Sequence, residues 1–108
     1  MKARPPIVCL CGSTRFAEEF RVVSRDLALA GISVVAPGVF EHADGRITDE
    51  QKAALGTLHL AKIDLADRVV VVSPGGYVGE STRREIRYAH QTGKRVEYTD
   101  APDGVIDP

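Results

Sequence analysis

Hydrophobic residues along the chain alternate between short continuous runs and series with helical spacing. The run at residues 7–11 ends at Gly12 and predicts a buried parallel strand followed by a tight turn. A second strand is predicted over residues 32–36, and residues 37–46 read as a loop. Between the strands a helix ends near Gly31, and its apolar positions are Phe16, Phe20, Val23, Leu27 and Ala30.

The second half of the chain repeats this alternation. Residues 48–51 (TDEQ) have the spacing of a capping box and predict a helix that turns Leu55, Leu58 and Ile63 inward and ends before Asp67. Residues 69–72 predict a third strand, residues 81–91 a third helix and residues 95–98 a fourth strand. We expect the tail over residues 99–108 to be irregular.

Strands that alternate with helices predict an α/β fold. We expect a three-layer, doubly wound parallel sheet of about four to five strands, flavodoxin/Rossmann-like, formed by residues 1–108 as one domain. Such sheets bind ligands at the carboxyl ends of their strands, beside the topological switch point. The turns after the first and third strands, residues 12–15 and 73–82, are therefore predicted to form a pocket together.

Composition narrows the classes of function. The 108 residues carry a formal net charge of −1, which argues against a protein that binds nucleic-acid polymers. The longest apolar run is far shorter than the roughly 20 residues that cross a bilayer, and residues 1–6 lack a signal-peptide core. We therefore expect a cytoplasmic protein with no membrane partner.

Cys9 and Cys11 are the only cysteines, and on a strand both side chains point to the same face. Their separation by one residue suits neither a disulfide framework nor a spaced metal knuckle, so we interpret them as reduced core thiols. No cluster of histidine, cysteine and carboxylate side chains shows ligand spacing in the sequence, and we expect no metal and no cofactor.

The first turn has the residue types of an anion site. Gly12 permits close backbone approach, Ser13 and Thr14 place hydroxyl groups at the start of a helix, and Arg15 follows them. Free amide groups at a helix start favour a phosphate, so this turn suits a phosphate or a ribose. Alternatively, Ser13 or Thr14 only caps the helix.

The second turn combines glycines, hydroxyl groups and a carboxylate. Glu85 is the strongest candidate, because a carboxylate at the mouth of a pocket can act as nucleophile or base toward a sugar carbon. Alternatively, Thr82 and Glu85 form a capping box. Tyr77 either covers a base or shields the turn. The candidate binding residues here are Gly76, Tyr77, Gly79, Ser81 and Thr82.

Three segments carry a resemblance to a known family: CGSTRF ending at Phe16, DRVVVV beginning at Asp67, and ESTRREIRYAHQTGKRV over residues 80–96. Over residues 7–98 the chain resembles the nucleoside 2-deoxyribosyltransferase superfamily, which includes the 2'-deoxynucleoside 5'-phosphate N-hydrolases. In that family the glutamate of a corresponding E-x-x-x-A-x-x-x-G-K pattern attacks the anomeric carbon. The resemblance implies this role for Glu85, and sugar and phosphate contacts for residues 12–15, with Ser81 and Thr82 nearby.

The chain departs from the family pattern at two positions. His59 stands where the family carries an aspartate that positions the sugar or protonates the leaving base, and Gly79 stands at an often polar position. Imidazole titrates near neutrality, so His59 is a candidate proton donor. Alternatively, it is a surface or half-buried helix residue. A weaker likeness, through the PGG at residues 74–76, is to the cytokinin-activating phosphoribohydrolases.

Together with the resemblance, these observations predict an N-glycosidase that cleaves the base from a nucleoside 5'-monophosphate, with Glu85 as nucleophile and His59 or water protonating the base. The alternatives are a deoxyribosyltransferase and a non-catalytic nucleotide sensor. We expect a nucleotide or nucleoside ligand and a homo-oligomer in which Tyr88 or the tail near Tyr98 approaches a neighbour's site. In the long loop, His42, Asp44 and Arg46 are candidates to close over a base.

Overall fold

The computed structural model describes residues 4–40 and 45–102. Within these two ranges, four strands alternate with three α-helices, and a short 3-10 turn follows both β1 and β3. The strands are β1 (Ile7–Gly12), β2 (Ser33–Val35), β3 (Arg68–Val72) and β4 (Arg95–Tyr98). The helices are α1 (Ala17–Leu29), α2 (Asp49–Leu65) and α3 (Glu80–Gln91), and the 3-10 turns are Thr14–Phe16 and Pro74–Gly76.

The strands form one parallel sheet in the order β2-β1-β3-β4. Val8 pairs with Val34 on one side and with Arg68 on the other, so β1 lies inside the sheet. The chain runs outward from β1 to β2 and then crosses back to β3, which places the switch point between β1 and β3. The expected three-layer α/β fold, flavodoxin/Rossmann-like, is confirmed.

Helices cover both faces of the sheet. Val8 and Leu10 pack with Phe20 of α1 on one face. Cys9 and Cys11 point to the opposite face, where Ile63 of α2 and Ile86 and Ala89 of α3 complete a second cluster. Both cysteines are free and fully buried, so the predicted core thiols and their shared face are confirmed. Among the described residues, no helix combines the length and the apolar character needed to cross a membrane.

Helix α2 begins as the sequence predicts but turns a different face inward. The side chain of Thr48 accepts a hydrogen bond from the Gln51 N–H at 3.0 Å, and the Gln51 side chain accepts one from the Thr48 N–H at 2.9 Å. The expectation that Leu58 packs inward is wrong, because its side chain is 52% exposed. The buried residues are His59 and Ile63, one helical turn apart, so the inward face is rotated by one residue.

Candidate functional site

A cavity of about 320 Å³ lies where β1 and β3 end, bounded by the turns that follow them and by α2. Its volume is within the roughly 300–1,000 Å³ of small-molecule sites. The predicted site residues that line it are Gly12, Ser13, Thr14, His59, Tyr77, Gly79, Ser81, Thr82 and Glu85. The two strand-end turns therefore meet as the sequence predicts.

Two predicted site residues lie outside this lining. Arg15 places its guanidinium 4.7 Å from the centroid of the Tyr77 ring and so packs over the face of that ring. Gly76 is buried in the 3-10 turn, where its φ of +88° suits glycine and its N–H donates to the Ser73 carbonyl at 2.8 Å. Both residues shape the second turn.

Gly12 is required by the close packing at the end of β1. Its φ is +150°, and a Cβ atom there would lie 2.6 Å from the Val72 carbonyl oxygen and 3.2 Å from the Phe20 ring. Gly79 also makes room, because a Cβ would lie 3.2 Å from the Tyr77 hydroxyl. A glycine at residue 79 therefore leaves room for the Tyr77 ring beside it.

Ser13 does have a capping role, although not for an α-helix. Its side chain accepts a hydrogen bond from the Arg15 N–H at 3.4 Å and caps the Thr14–Phe16 turn. Helix α1 starts after Phe16 and has no side-chain cap of its own. Capping and cavity lining are therefore compatible functions of Ser13.

The capping-box interpretation of Thr82 and Glu85 is wrong. Helix α3 starts at Glu80, and its N-cap is Gly79 in an extended conformation. Thr82 therefore lies inside the first turn, where its side chain is buried and cannot cap the helix. Glu85 is placed one turn further along, with only 18% of its side chain exposed. Its carboxylate faces the cavity and not the helix start.

His59 lies at the centre of a polar cluster beneath the cavity. Its Nε2 atom is 3.3 Å from Cys11 Sγ, 3.7 Å from Cys9 Sγ and 3.8 Å from Glu85 Oε1. The residue is 5% exposed, so the alternative of a surface or half-buried histidine is wrong. Strand β1, helix α2 and helix α3 each supply part of this cluster.

Burial and mutual charge set the protonation of the pair formed by His59 and Glu85. Burial raises the pKa of Glu85, and the positive charge of His59 opposes that rise. Burial by itself lowers the pKa of His59, but hydrogen bonding to Cys9 and the charge of Glu85 outweigh it, so the pKa is raised. The carboxylate therefore has a cationic partner that offsets part of its desolvation.

The pKa values of the two thiols shift in opposite directions. A hydrogen bond with Cys11 lowers the pKa of Cys9 to about 6, with His59 contributing. The same hydrogen bond, together with burial, raises the pKa of Cys11. Of the two thiols, Cys9 is therefore the one that ionises more readily, next to the His59 imidazole.

Sequence reasoning named only His59 of α2 as a site residue and missed the rest of the helix face that lines the cavity. Lys52, Leu55, Gly56 and His59 follow the i, i+3, i+4, i+7 spacing of one helix face, and all four line the cavity. That spacing identifies the cavity face once His59 fixes the phase of the helix. Further lining residues that were not predicted are Pro37, Gly38, Val39, Ile47, Lys62 and Glu80.

The remaining predicted residues are tested only in part by the structure. His42 and Asp44 lie outside the described residues, as do residues 103–108 of the tail, and Arg46 is exposed. The Tyr88 hydroxyl donates to Asp64 Oδ1 at 2.7 Å and so joins α3 to α2 within the chain. The homo-oligomer with a shared site stays a prediction.

The arrangement brings a shielded carboxylate, an imidazole and two hydroxyl-bearing turns around one cavity. Such a group can bind a polar ligand, attack an electrophilic carbon and move a proton. In comparisons with known proteins, neither a protein-family model nor a curated protein matches this chain. The function therefore has to be argued from the site itself.

Proposed function

We propose that this protein is an N-glycosidase that cleaves the base from a nucleoside 5'-monophosphate, with Glu85 as the nucleophile. The observation that carries the proposal is the position of the Glu85 carboxylate. It is largely shielded from solvent, faces a cavity of about 320 Å³ between two strand-end turns, and has no capping role at its own helix. The family resemblance of the motif around Glu85 points to the same reaction.

In the first step, a Glu85 carboxylate oxygen attacks the anomeric carbon of the sugar. The bond between this carbon and the base nitrogen breaks, and its electron pair leaves with the base, which takes up a proton. In the second step, water hydrolyses the glycosyl ester and regenerates the carboxylate. Shielding from water leaves the carboxylate less solvated and therefore more reactive, provided that it is ionised.

His59 fits the role of a positioning residue. Its Nε2 atom is 3.8 Å from Glu85 Oε1. A nucleophile and an acid on opposite sides of the anomeric carbon need roughly 5–5.5 Å between them. The shorter distance favours His59 as the cation that keeps Glu85 ionised, with water supplying the proton to the base.

The remaining lining residues suit the rest of a nucleotide. Ser13 and Thr14 line the cavity with groups that suit a phosphate or sugar, and Lys52 brings a positive charge to the same cavity. The Tyr77 ring, with Arg15 against one side, offers an aromatic surface to the base. A cavity at the lower end of the usual range favours one nucleotide over a nucleotide with an acceptor base, and therefore hydrolysis over transfer.

The test is Glu85→Gln with a panel of ribo- and deoxyribonucleoside 5'-monophosphates. We expect base release, followed by chromatography, to fall by several orders of magnitude while nucleotide binding persists, because an amide is a far poorer nucleophile. Glu19→Gln, on the exposed face of α1, is the matched control and should match the parent. Base release by Glu85→Gln within about tenfold of the parent would contradict the assignment.

A non-catalytic nucleotide sensor is the second candidate. It is favoured by the same 3.8 Å distance, because His59 then lies too close to Glu85 to protonate a leaving base on the far side of the sugar. Binding of a nucleotide without base release at any pH would support the sensor. Release of base that depends on Glu85 would exclude it.

A further inference from the structure

Three soft metal ligands converge on the face of β1 that is covered by α2 and α3. Cys9 and Cys11 project from alternate positions of the strand, and His59 projects toward them from α2. Their ligand atoms, two Sγ atoms and one imidazole nitrogen, all lie within 4.8 Å of one another. Sequence spacing missed this set because His59 is 48 residues away from Cys11 in the chain.

The spacing of these atoms matches a tetrahedral zinc site. Bond lengths of roughly 2.3 Å for zinc to sulfur and 2.0–2.1 Å for zinc to nitrogen place tetrahedral sulfur and nitrogen ligands roughly 3.5 Å apart. His59 Nε2 lies 3.3 Å from Cys11 Sγ and 3.7 Å from Cys9 Sγ, on either side of that value. The imidazole nitrogen therefore already lies at ligand spacing from both sulfur atoms, and the two sulfur atoms lie within 4.8 Å of each other.

We propose that Cys9, Cys11 and His59 bind one zinc ion per chain. Two thiolates and one imidazole favour zinc over magnesium or calcium, which prefer oxygen ligands. Binding requires both sulfur atoms as thiolates and Nε2 without its proton, so the protons still held by these three groups are released to solvent and the metal is held by two negative charges. Three protein ligands leave a fourth position open, as in zinc sites that also hold water or a substrate.

The cavity provides the route to this site. Both cysteines are fully buried, but His59 lines the cavity, and Glu85 Oε1 approaches its Nε2 atom from the same side. A metal ion entering through the cavity therefore meets the imidazole first and the thiolates behind it. The zinc proposal rests on its own geometry, but the ion would use the Nε2 atom that faces Glu85 and would then supply the positive charge beside that carboxylate in place of the imidazolium.

The test uses the full chain, reduced with a phosphine and stripped of metal, and titrated with Co²⁺ as a spectroscopic substitute for Zn²⁺. We expect thiolate-to-cobalt charge-transfer absorption and the intense visible bands of tetrahedral cobalt, saturating at one ion per chain and abolished by added Zn²⁺. Parent protein without charge-transfer absorption would overturn the proposal.

Substitution separates this site from chance surface binding. We expect His59→Asn to weaken cobalt and zinc binding by at least tenfold, whereas His90→Asn, a histidine on α3 outside the cluster, should bind like the parent. Cys11→Ser should lose charge-transfer intensity, which keeps the test decisive if His59→Asn fails to fold. Equal affinity in His59→Asn and His90→Asn, or unchanged absorption in a folded Cys11→Ser, would contradict the site.

Discussion

The two faces of β1 show how one strand serves two purposes. Val8 and Leu10 face α1 and join a cluster made of apolar side chains, which includes Phe20. Cys9 and Cys11, on the opposite face, meet His59 and lie beside Glu85. The first face is stabilised by the burial of apolar surface. On the second face, the desolvation of buried polar groups offsets part of that stabilisation unless these groups find partners.

The polar groups of the second face satisfy one another. Among the described residues, every buried side-chain nitrogen and oxygen atom has a hydrogen-bond partner. The imidazole of His59 lies within contact distance of both thiols and of the Glu85 carboxylate. Chemistry is therefore concentrated on the α2/α3 face, and we expect substitutions on the two faces to separate stability from ligand binding.

The largest effect on stability is expected from Phe20→Ala. The Phe20 side chain is fully buried, and its ring packs edge to face against Phe40, 5.2 Å away. Its removal leaves a cavity and should lower the free energy of unfolding by about 3–5 kcal/mol, as measured by urea denaturation. Leu29→Ala is the control on the same helix, since Leu29 is 81% exposed and should change stability little. Equal losses in both variants would contradict this account of the face.

Gly12→Ala should have the next largest effect. A methyl group at this residue meets the Val72 carbonyl oxygen at 2.6 Å and requires a φ of +150°, so strands β1 and β3 must shift. We expect a loss of about 1–3 kcal/mol in the free energy of unfolding. Gly56→Ala, in the middle of α2 with open space around it, should instead gain about 0.5–1 kcal/mol. Effects of the same sign in the two variants would contradict this reasoning.

Local sequence signals predicted most of the fold. The apolar runs predicted β1 and β3. The pair Thr48 and Gln51, confirmed as a capping box, predicted the start of α2. The rotation of α2 was not available from its sequence. Leu58 and His59 both have apolar residues one helical turn away, so the spacing of apolar residues does not choose between them. Only packing against β1 decides that His59 points inward and Leu58 outward.

The candidate site was predictable as a set of turns but not as a cluster. Alternation along a strand predicts that Cys9 and Cys11 share a face, and the rule for parallel sheets places both turns at one edge. Whether His59 faces the two thiols depends on the rotation of α2 about its axis. Whether Glu85 is engaged in a capping box or faces the cavity depends on the residue at which α3 begins. Gly79 starts α3 without a side-chain cap, which no cap signal in the sequence reveals.

A smaller effect is expected from Thr48→Ala. Its hydroxyl accepts the Gln51 N–H at 3.0 Å and thereby fixes the first turn of the helix that carries His59. The loss should be about 1 kcal/mol in the free energy of unfolding, with nucleotide binding nearly unchanged. Thr57→Ala is the matched control, because the Thr57 hydroxyl only bonds to the Ala53 carbonyl on the exposed side of α2. Comparable losses in the two variants would show that the cap does not stabilise α2.

The smallest effect on stability, with the largest consequence for the site, is expected from His59→Leu. A leucine of similar size can fill the space next to Cys9 and Cys11, and the substitution removes a buried polar group whose desolvation opposes folding. Glu85 loses its cationic partner but keeps access to water in the cavity. The two contributions oppose each other, so we expect urea denaturation to give a free energy of unfolding within about 1 kcal/mol of the parent.

Base release by His59→Leu should nevertheless fall sharply, because an isolated carboxylate at this depth favours the protonated, unreactive form. A loss of stability as large as that of Phe20→Ala would mean that His59 belongs to the core of this face, as Phe20 does on the other, and that the two faces of β1 are not divided between folding and chemistry.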